Sequence, residues 1–160
     1  MSDPTIDHRP ALAGAFGSGV ILTPLPEGHV LLLLARASAP APEEPGLRPA
    51  GPGQWYLVGD AVLAPEALAA LAARLPDVAV CDQSHGRVRI AAEGPKAAAM
   101  LAKGTAVDLE TLPVGASATT LVGPIGVHLT RTGDAAFELM VLRSFATALW
   151  HDLSRMAAEY

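Results

Sequence analysis

The densest group of reactive side-chain types in the sequence is Cys81–Arg87, which reads Cys-Asp-Gln-Ser-His-Gly-Arg. A thiol becomes a nucleophile when a nearby base helps to form the thiolate, and Asp82 and His85 are close in sequence. Catalytic triads, however, are normally assembled from distant segments, and strand alternation places Cys81 and Asp82 on opposite faces. The favoured interpretation is a structural turn in which the Ser84 hydroxyl binds the backbone. We therefore assign no catalytic residue.

Histidines elsewhere are the next candidates, since imidazole titrates near neutral pH. Neither His128, expected on an edge-like strand, nor His151 has a second metal-type ligand at a helical or hairpin spacing, and the chain has one cysteine. The glycine-rich stretch over residues 14–19 precedes a predicted strand, whereas phosphate-binding loops follow a strand and open a helix. The sequence thus predicts no metal-binding and no cofactor-binding residue in this chain.

Four residues are candidates for contacts with a partner protein or for the polar turn itself: His85, Arg87, Arg143 and Trp150. Arginine and aromatic side chains are enriched at protein interfaces, which favours Arg143 and Trp150. Core packing is the alternative for Trp150, because it falls on the apolar side of a predicted helix.

Composition excludes several classes of protein. The formal charge is −5, and the eleven Lys and Arg residues are scattered singly, so we expect no nucleic-acid partner. The longest apolar run, over residues 67–73, is far shorter than the ~20 residues that cross a bilayer, so we expect no membrane association. Charged residues near the N-terminus are unlike a signal peptide, which makes a cytoplasmic location the expectation.

The candidate residues must be positioned by strands and helices of a folded domain. A chain of 160 residues has the usual size of one domain with one hydrophobic core, so we predict a single domain over residues 1–160. Residues 1–13 are predicted to be a tail. Residues 37–53 are rich in proline and glycine and are predicted to be a loop through which neither a helix nor a strand ladder can run.

Apolar periodicity predicts eight strands and three helices. The first strand is expected at residues 20–22. The predicted strands cover residues 30–35, 54–59, 78–82, 87–91, 118–122, 126–131 and 136–141, and the predicted helices cover 66–75, 95–103 and 144–159. Strands 78–82 and 87–91 are predicted to be joined by a turn, and Phe145 is placed on the buried side of the last helix. The fold class is α+β, with antiparallel sheets and helices packed on one face.

The chain from Val80 onward resembles the gamma subunit of heterotetrameric sarcosine oxidase. The residues that carry this resemblance are Asp82–Arg87, Val88–Ile90, Gly94–Pro95, Leu101–Gly104, Val107–Leu109, Leu112–Gly115, Thr120–Leu121, Gly126–Val127, Ala136–Leu139, Arg143–Phe145 and Leu149–Trp150. The family is similar in fold to the folate-binding domain of aminomethyltransferases such as the glycine-cleavage T protein. In those transferases aspartates follow a glycine of the last hairpin, whereas here Gly126 is followed by Val-His-Leu-Thr. No folate-binding role is therefore carried over to any residue.

The resemblance implies a non-catalytic structural subunit of a flavin-dependent oxidase. The assembled enzyme would demethylate sarcosine to glycine, with hydrogen peroxide and a one-carbon unit captured by tetrahydrofolate. FAD, FMN, NAD, tetrahydrofolate and zinc would belong to the alpha, beta and delta subunits, which are the implied partners. The isolated chain is not expected to be active.

Two other classes of function stay open from the residues alone. One is a stand-alone folate-binding or aminomethyltransferase-like protein, which would bind tetrahydrofolate without partners. The other is an unrelated small ligand-binding module that uses the polar turn around His85.

Overall fold

The computed structural model describes residues 18–160, so the tail predicted over residues 1–13 and most of the glycine-rich stretch lie outside the described residues. The strands are β1 (Ile21–Pro24), β2 (His29–Leu34), β3 (Leu47–Gly51), β4 (Gln54–Gly59), β5 (Ala79–Asp82), β6 (Arg87–Glu93), β7 (Ser117–Val122), β8 (Ile125–Gly133) and β9 (Ala136–Leu142). The helices are α1 (Pro65–Arg74), α2 (Ala97–Leu101) and α3 (Ala146–Ala157), with 3-10 turns at Ser84–Gly86 and Arg143–Phe145.

Every strand pair in the two sheets is antiparallel. The first sheet has five strands in the order β1-β6-β9-β8-β7, and the second has four in the order β3-β4-β2-β5. The predicted α+β class with antiparallel sheets is therefore confirmed.

Helices cover one face of each sheet. In the five-stranded sheet, Phe137, Leu139 and Val141 alternate onto a single buried face, as their spacing predicts, and they pack in one cluster with Leu149 and Leu153 of α3. In the four-stranded sheet the apolar face packs against Leu71 of α1, and its members are Leu31, Leu33, Trp55 and Leu57. The helices thus lie outside the two sheets.

The two sheet faces that point away from the helices pack against each other. Val30 and Val58 of the four-stranded sheet pack with Met140 of the five-stranded sheet, and Tyr56 lies against this small cluster. The order of layers is helices, five-stranded sheet, four-stranded sheet and helix. Residues of the five-stranded sheet that point away from α2 and α3 are therefore buried between sheets rather than exposed to water.

The prediction that no strand ladder runs through residues 37–53 is wrong for the last part of this stretch, where Leu47–Gly51 forms β3. Pro49 lies in β3, opposite Trp55 of β4. A proline lacks the backbone donor, but β3 is an edge strand, so the missing N–H faces no neighbouring strand. Gly53 makes the turn into β4 at φ +66, where a Cβ would come within 2.6 Å of the Ala35 carbonyl oxygen.

The strands predicted at 78–82 and 87–91 exist but belong to different sheets. β5 pairs with β2, while β6 is flanked by β1 and β9 and has no free edge for β5. The backbone N–H of Gln83 still donates to the Val30 carbonyl oxygen, at 2.9 Å, before the 3-10 turn redirects the chain. The connection is a crossover between sheets, not the turn of a hairpin.

Two further placements differ from expectation. His128 was expected on an edge-like strand, but β8 runs between β7 and β9 and the residue is 2% exposed. Phe145 was expected on the buried side of the last helix, but it is 49% exposed because residues 143–145 form a 3-10 turn before α3 begins. The tighter turn changes the direction of the side chain.

Within residues 18–160, no helix combines the length and hydropathy that crossing a bilayer requires.

Truncating the core should destabilise the domain in proportion to the volume removed. We expect Leu139→Ala, at a side chain with no exposed surface, to lower the free energy of unfolding by about 2–5 kcal/mol. Leu121→Ala, at a side chain that is 56% exposed, should change it by about 0.5 kcal/mol or less. Urea unfolding followed by circular dichroism measures both, and equal losses would contradict the layer assignment.

Candidate functional site

The structure brings three of the four predicted contact residues together at one corner of the domain. Arg143 donates from Nε to the His85 carbonyl oxygen at 2.7 Å, and from Nη2 to Glu27 Oε1 at 2.7 Å. The β6–β9 register pairs Arg87 with Leu142, which places the turn before β6 beside the turn after β9. Residues remote in sequence therefore form one continuous polar surface.

Arg87 connects this corner to the second sheet. Its Nη2 donates to the Tyr56 hydroxyl at 3.0 Å and its Nε donates to Gln83 Oε1 at 3.1 Å. The guanidinium carbon is 5.3 Å from the centroid of the Tyr56 ring, within the range of a cation–π contact. The side chain is thus fixed in one orientation by three contacts.

Trp150 lies elsewhere. Its side chain is 6% exposed and belongs to the core beneath the five-stranded sheet, so it presents almost no surface to a partner. Core packing, the alternative raised by the sequence, describes its position.

The turn at the corner is held by Asp82 and Ser84. Asp82 Oδ1 accepts from the Ser84 backbone N–H at 2.9 Å and from its hydroxyl at 2.5 Å, while Ser84 Oγ accepts from the Val30 N–H at 3.1 Å. The side-chain and backbone hydrogen bonds from Ser84 lower the pKa of Asp82 below its ordinary value. A carboxylate with a lowered pKa is a weak base, so this pair fixes a turn rather than activating a nucleophile.

Cys81 is exposed on the edge strand β5. Within residues 18–160, no three His, Cys, Asp or Glu side chains are grouped closely enough to hold a metal ion.

A charged network crosses the layer between the sheets. Glu138 of β9 accepts two hydrogen bonds from Arg48 of β3, at 2.7 and 2.9 Å. The same carboxylate accepts from Arg89 of β6, at 2.8 and 3.2 Å. Arg89 also donates to Asp60 Oδ1 at 2.8 Å. Bidentate arginine–carboxylate pairs fix geometry strongly, so one buried carboxylate joins both sheets.

The two arginines keep this carboxylate ionised. Burial alone would raise the pKa of Glu138, but the hydrogen bonds from Arg48 and Arg89 outweigh it, and the pKa is lowered. Burial acts to lower the pKa of Arg89, yet its hydrogen bonds to Glu138 dominate and the pKa is raised. Each charge is therefore stable only because its partner is present.

Sequence reasoning missed this network. Arg89 and Glu138 alternate with apolar residues in their strands, a pattern that predicts a solvent-facing side. Arg48 lies in the stretch predicted to be a loop. The available signal was one charge of each sign in two otherwise apolar strands, Arg89 in β6 and Glu138 in β9. This signal indicates a buried ion pair only when a second sheet covers that face.

Comparison with known proteins gives the domain a family. The family described as the GCVT N-terminal domain matches residues 50–160, well over half of the chain. The chain belongs to the GCVT N-terminal domain family. No curated protein sequence matches it significantly.

The same fold occurs in a solved oxidase. The structure titled heterotetrameric sarcosine oxidase from Corynebacterium sp. U-96, in complex with pyrrole 2-carboxylate, contains a chain that matches with a TM-score of 0.78 and 24% identity. The match covers 91% of this chain and 87% of that chain. At this identity the likeness establishes a shared fold, which confirms the resemblance inferred from the sequence at that level.

In this GCVT N-terminal domain, the position that the resemblance associates with folate is filled by protein. His128 donates from Nε2 to the Pro49 carbonyl oxygen at 2.8 Å, and its ring packs edge-on to Tyr56 with centroids 5.0 Å apart. Thr130 is 4% exposed and hydrogen-bonds through Oγ1 with Ser117 Oγ at 2.9 Å. The hairpin positions after Gly126 thus carry buried side chains that are already paired within the protein, and none of them is a carboxylate.

His128 carries the buried polar atom that finds no partner within residues 18–160, its Nδ1. Because the Pro49 oxygen only accepts, Nε2 holds the proton and Nδ1 is an unprotonated lone pair. Burial lowers the pKa of His128, and the nearby Arg48 and Arg87 lower it further. The ring is therefore neutral at physiological pH.

Removing the charge of Glu138 should be strongly destabilising. Glu138→Gln leaves Arg48 and Arg89 without a compensating carboxylate between the sheets, and we expect a loss of about 3–5 kcal/mol in the free energy of unfolding. Glu93→Gln, at an exposed residue of the neighbouring strand, is the matched control and should change it by about 0.5 kcal/mol or less. Equal free energies of unfolding for the two variants in guanidinium would show that the charge of Glu138 does not stabilise the folded domain.

The lowered pKa of His128 should make stability fall on acidification. Since the unfolded histidine titrates near its ordinary value of 6.5 and the folded one below it, the unfolded state binds more protons as pH drops through this window. We expect stability to decline from pH 7 towards pH 5 with a slope of up to about 1.4 kcal/mol per pH unit.

The histidine responsible can be identified by substitution. His128→Gln keeps an N–H donor without a titrating ring, so the slope between pH 7 and pH 5 should flatten. His151→Gln, at an exposed position on α3, should leave the slope in place. Thermal unfolding across this range measures it, and an unchanged slope in His128→Gln would assign the acid sensitivity to other groups.

Proposed function

We propose that this chain is the gamma-type, non-catalytic structural subunit of a flavin-dependent heterotetrameric sarcosine oxidase. The observation that carries the proposal is the extent of the fold match, which covers nearly all of both chains. This extent of similarity supports a role as one subunit of such an assembly.

In the proposed assembly, the alpha, beta and delta subunits carry the chemistry. They bind FAD, FMN, NAD, tetrahydrofolate and zinc, and they oxidatively demethylate sarcosine to glycine, with hydrogen peroxide and a folate-captured one-carbon unit as products. The proposed place of action is the cytoplasm, in sarcosine catabolism. This chain contributes folded surface that completes the complex.

The surface best suited to a partner subunit is the corner surface, made of His85, Arg87, Leu142, Arg143 and Phe145. Leu142 and Phe145 are 45% and 49% exposed, and they lie on either side of Arg143 in the chain. A groove of about 390 Å³ runs along this surface, between the Asp82–Arg87 turn and Leu142. Apolar and arginine side chains around a groove are typical of protein interfaces.

Capture of the complex tests the proposal directly. The tagged chain is purified from its native cells grown on sarcosine, and the eluate is assayed for flavin absorbance and sarcosine-dependent peroxide. We expect yellow, active material containing three other polypeptides. Colourless, solitary protein from cells shown to contain active sarcosine oxidase would refute the subunit role, and binding of tetrahydrofolate by that solitary protein would instead establish a stand-alone folate-binding protein.

A substitution in the corner surface should weaken assembly without unfolding the chain. We expect Phe145→Ser to reduce the captured flavoprotein by about tenfold, because an exposed aromatic side chain at an interface contributes strongly to affinity. Val114→Ser, at an apolar side chain that is 54% exposed on another loop, is the matched control and should capture normally. Equal capture by both variants would exclude the corner surface as the interface.

A further inference from the structure

Arg87 lines the groove of the corner surface without a carboxylate partner. None of the ion pairs within residues 18–160 includes this arginine. Its Nε donates to Gln83 Oε1 and its Nη2 donates to the Tyr56 hydroxyl, and both of these acceptors are neutral. The half-buried guanidinium is therefore held in place, but no described anion compensates its charge.

Other arginines that are removed from water are fully provided for. The two arginines between the sheets share one buried carboxylate, and Arg143 at the corner pairs with Glu27. Arg131 lacks a carboxylate, but its Nε, Nη1 and Nη2 all donate to backbone carbonyl oxygens. Arg87 differs from each of them, since one of its terminal nitrogens has no acceptor within the described chain.

The nitrogen without an acceptor is Nη1 of Arg87, which carries two N–H groups. Among the described residues, the buried side-chain nitrogen or oxygen that finds no partner is His128 Nδ1, so Arg87 Nη1 reaches solvent. Because the side chain lines the groove, an acceptor that enters the groove can approach these donors. Hydrogen bonds from a guanidinium to a carboxylate are charge-assisted, which makes them about twice as strong as bonds between neutral groups.

The orientation of Arg87 is set before any partner binds. The hydrogen bonds to Gln83 and Tyr56 fix two of its three nitrogens, and the guanidinium carbon lies 5.3 Å from the centroid of the Tyr56 ring. An arginine held in this way loses little further side-chain entropy when a carboxylate pairs with it. It is therefore better prepared for an ion pair than a mobile surface arginine, whose pairs contribute little.

The rest of the groove indicates what kind of segment would carry the carboxylate. Its volume of about 390 Å³ equals roughly thirteen water molecules at about 30 Å³ each, more than one carboxylate fills. Leu142 lines the groove, and Phe145 is exposed three residues further along the chain. Asp82 also lines the groove and would repel a second acidic side chain. The groove thus fits one acidic residue with apolar neighbours.

We propose that Arg87 pairs with an aspartate or glutamate side chain of a partner subunit. Nη1 of Arg87 donates to the carboxylate, and apolar residues beside that acid in the partner cover Leu142 and Phe145. This inference rests on the proposed subunit role and names the chemistry that the corner surface recognises. We refer to the pair as the acidic contact.

Capture of the complex by a substituted chain tests the acidic contact. The tagged chain is purified from its native cells grown on sarcosine, at one fixed ionic strength, and captured flavin is measured per mole of tagged chain. We expect Arg87→Gln to reduce the captured flavin at least about tenfold, because the partner's carboxylate would be left without a counter-charge. Arg36→Gln, at an exposed arginine outside the groove, is the matched control and should capture normally. Thermal unfolding of both purified variants verifies that each is folded.

Chemical cross-linking tests the same contact without removing the charge. Arg87→Lys keeps the positive charge and introduces a primary amine. A water-soluble carbodiimide joins an amine to a carboxylate in direct contact through an amide bond and is itself released as the urea. We expect mass spectrometry of the captured complex to find residue 87 linked to one aspartate or glutamate of another polypeptide. Arg36→Lys should give no link from residue 36 to another polypeptide.

The outcomes separate the acidic contact from the subunit role itself. Colourless, solitary native chain from cells shown to contain active sarcosine oxidase would refute the subunit role and the contact with it. An active complex captured equally well by Arg87→Gln would leave the subunit role standing and overturn the contact. A captured complex of Arg87→Lys in which residue 87 is linked only to Asp82 of its own chain, or to no carboxylate, would also overturn it.

Discussion

The buried carboxylate of Glu138 fixes how the two sheets face each other. It accepts from Arg48 on one sheet and Arg89 on the other, and all three side chains are largely removed from water. Replacing such a network by apolar residues is often neutral in energy, whereas losing one member leaves an uncompensated buried charge. Its value therefore lies in geometry, since a bidentate pair tolerates little sliding of one sheet over the other.

The alignment of the sheets in turn positions the corner surface. With β3 held by Arg48, the Pro49 carbonyl meets His128 and Tyr56 packs against the same ring, so the layer between the sheets is filled. The turns before β6 and after β9 meet at the rim of this layer and form the corner surface. In this domain of the GCVT N-terminal family, side chains of the protein therefore fill the layer around His128.

The Asp82–Arg87 turn borders the corner surface. The Asp82–Ser84 hydrogen bonds fix the turn and the Val30 N–H to Ser84 Oγ bond holds it against β2, so the corner surface depends on this local arrangement. The polar cluster that stands out in the sequence thus supports the local structure of this turn.

The sequence by itself determined the element types, the α+β class and the apolar faces, because strand and helix periodicities are local properties of the chain. It also identified His85, Arg87 and Arg143, which the structure brings to one corner. Only the tertiary structure decided that β5 and β6 part into different sheets and that Pro49 joins an edge strand. The tertiary structure also shows that Arg89, His128 and Glu138 are buried, although their spacing in the strands predicts a solvent-facing side. Alternation indicates which side chains share a face of a sheet, but it does not indicate what covers that face.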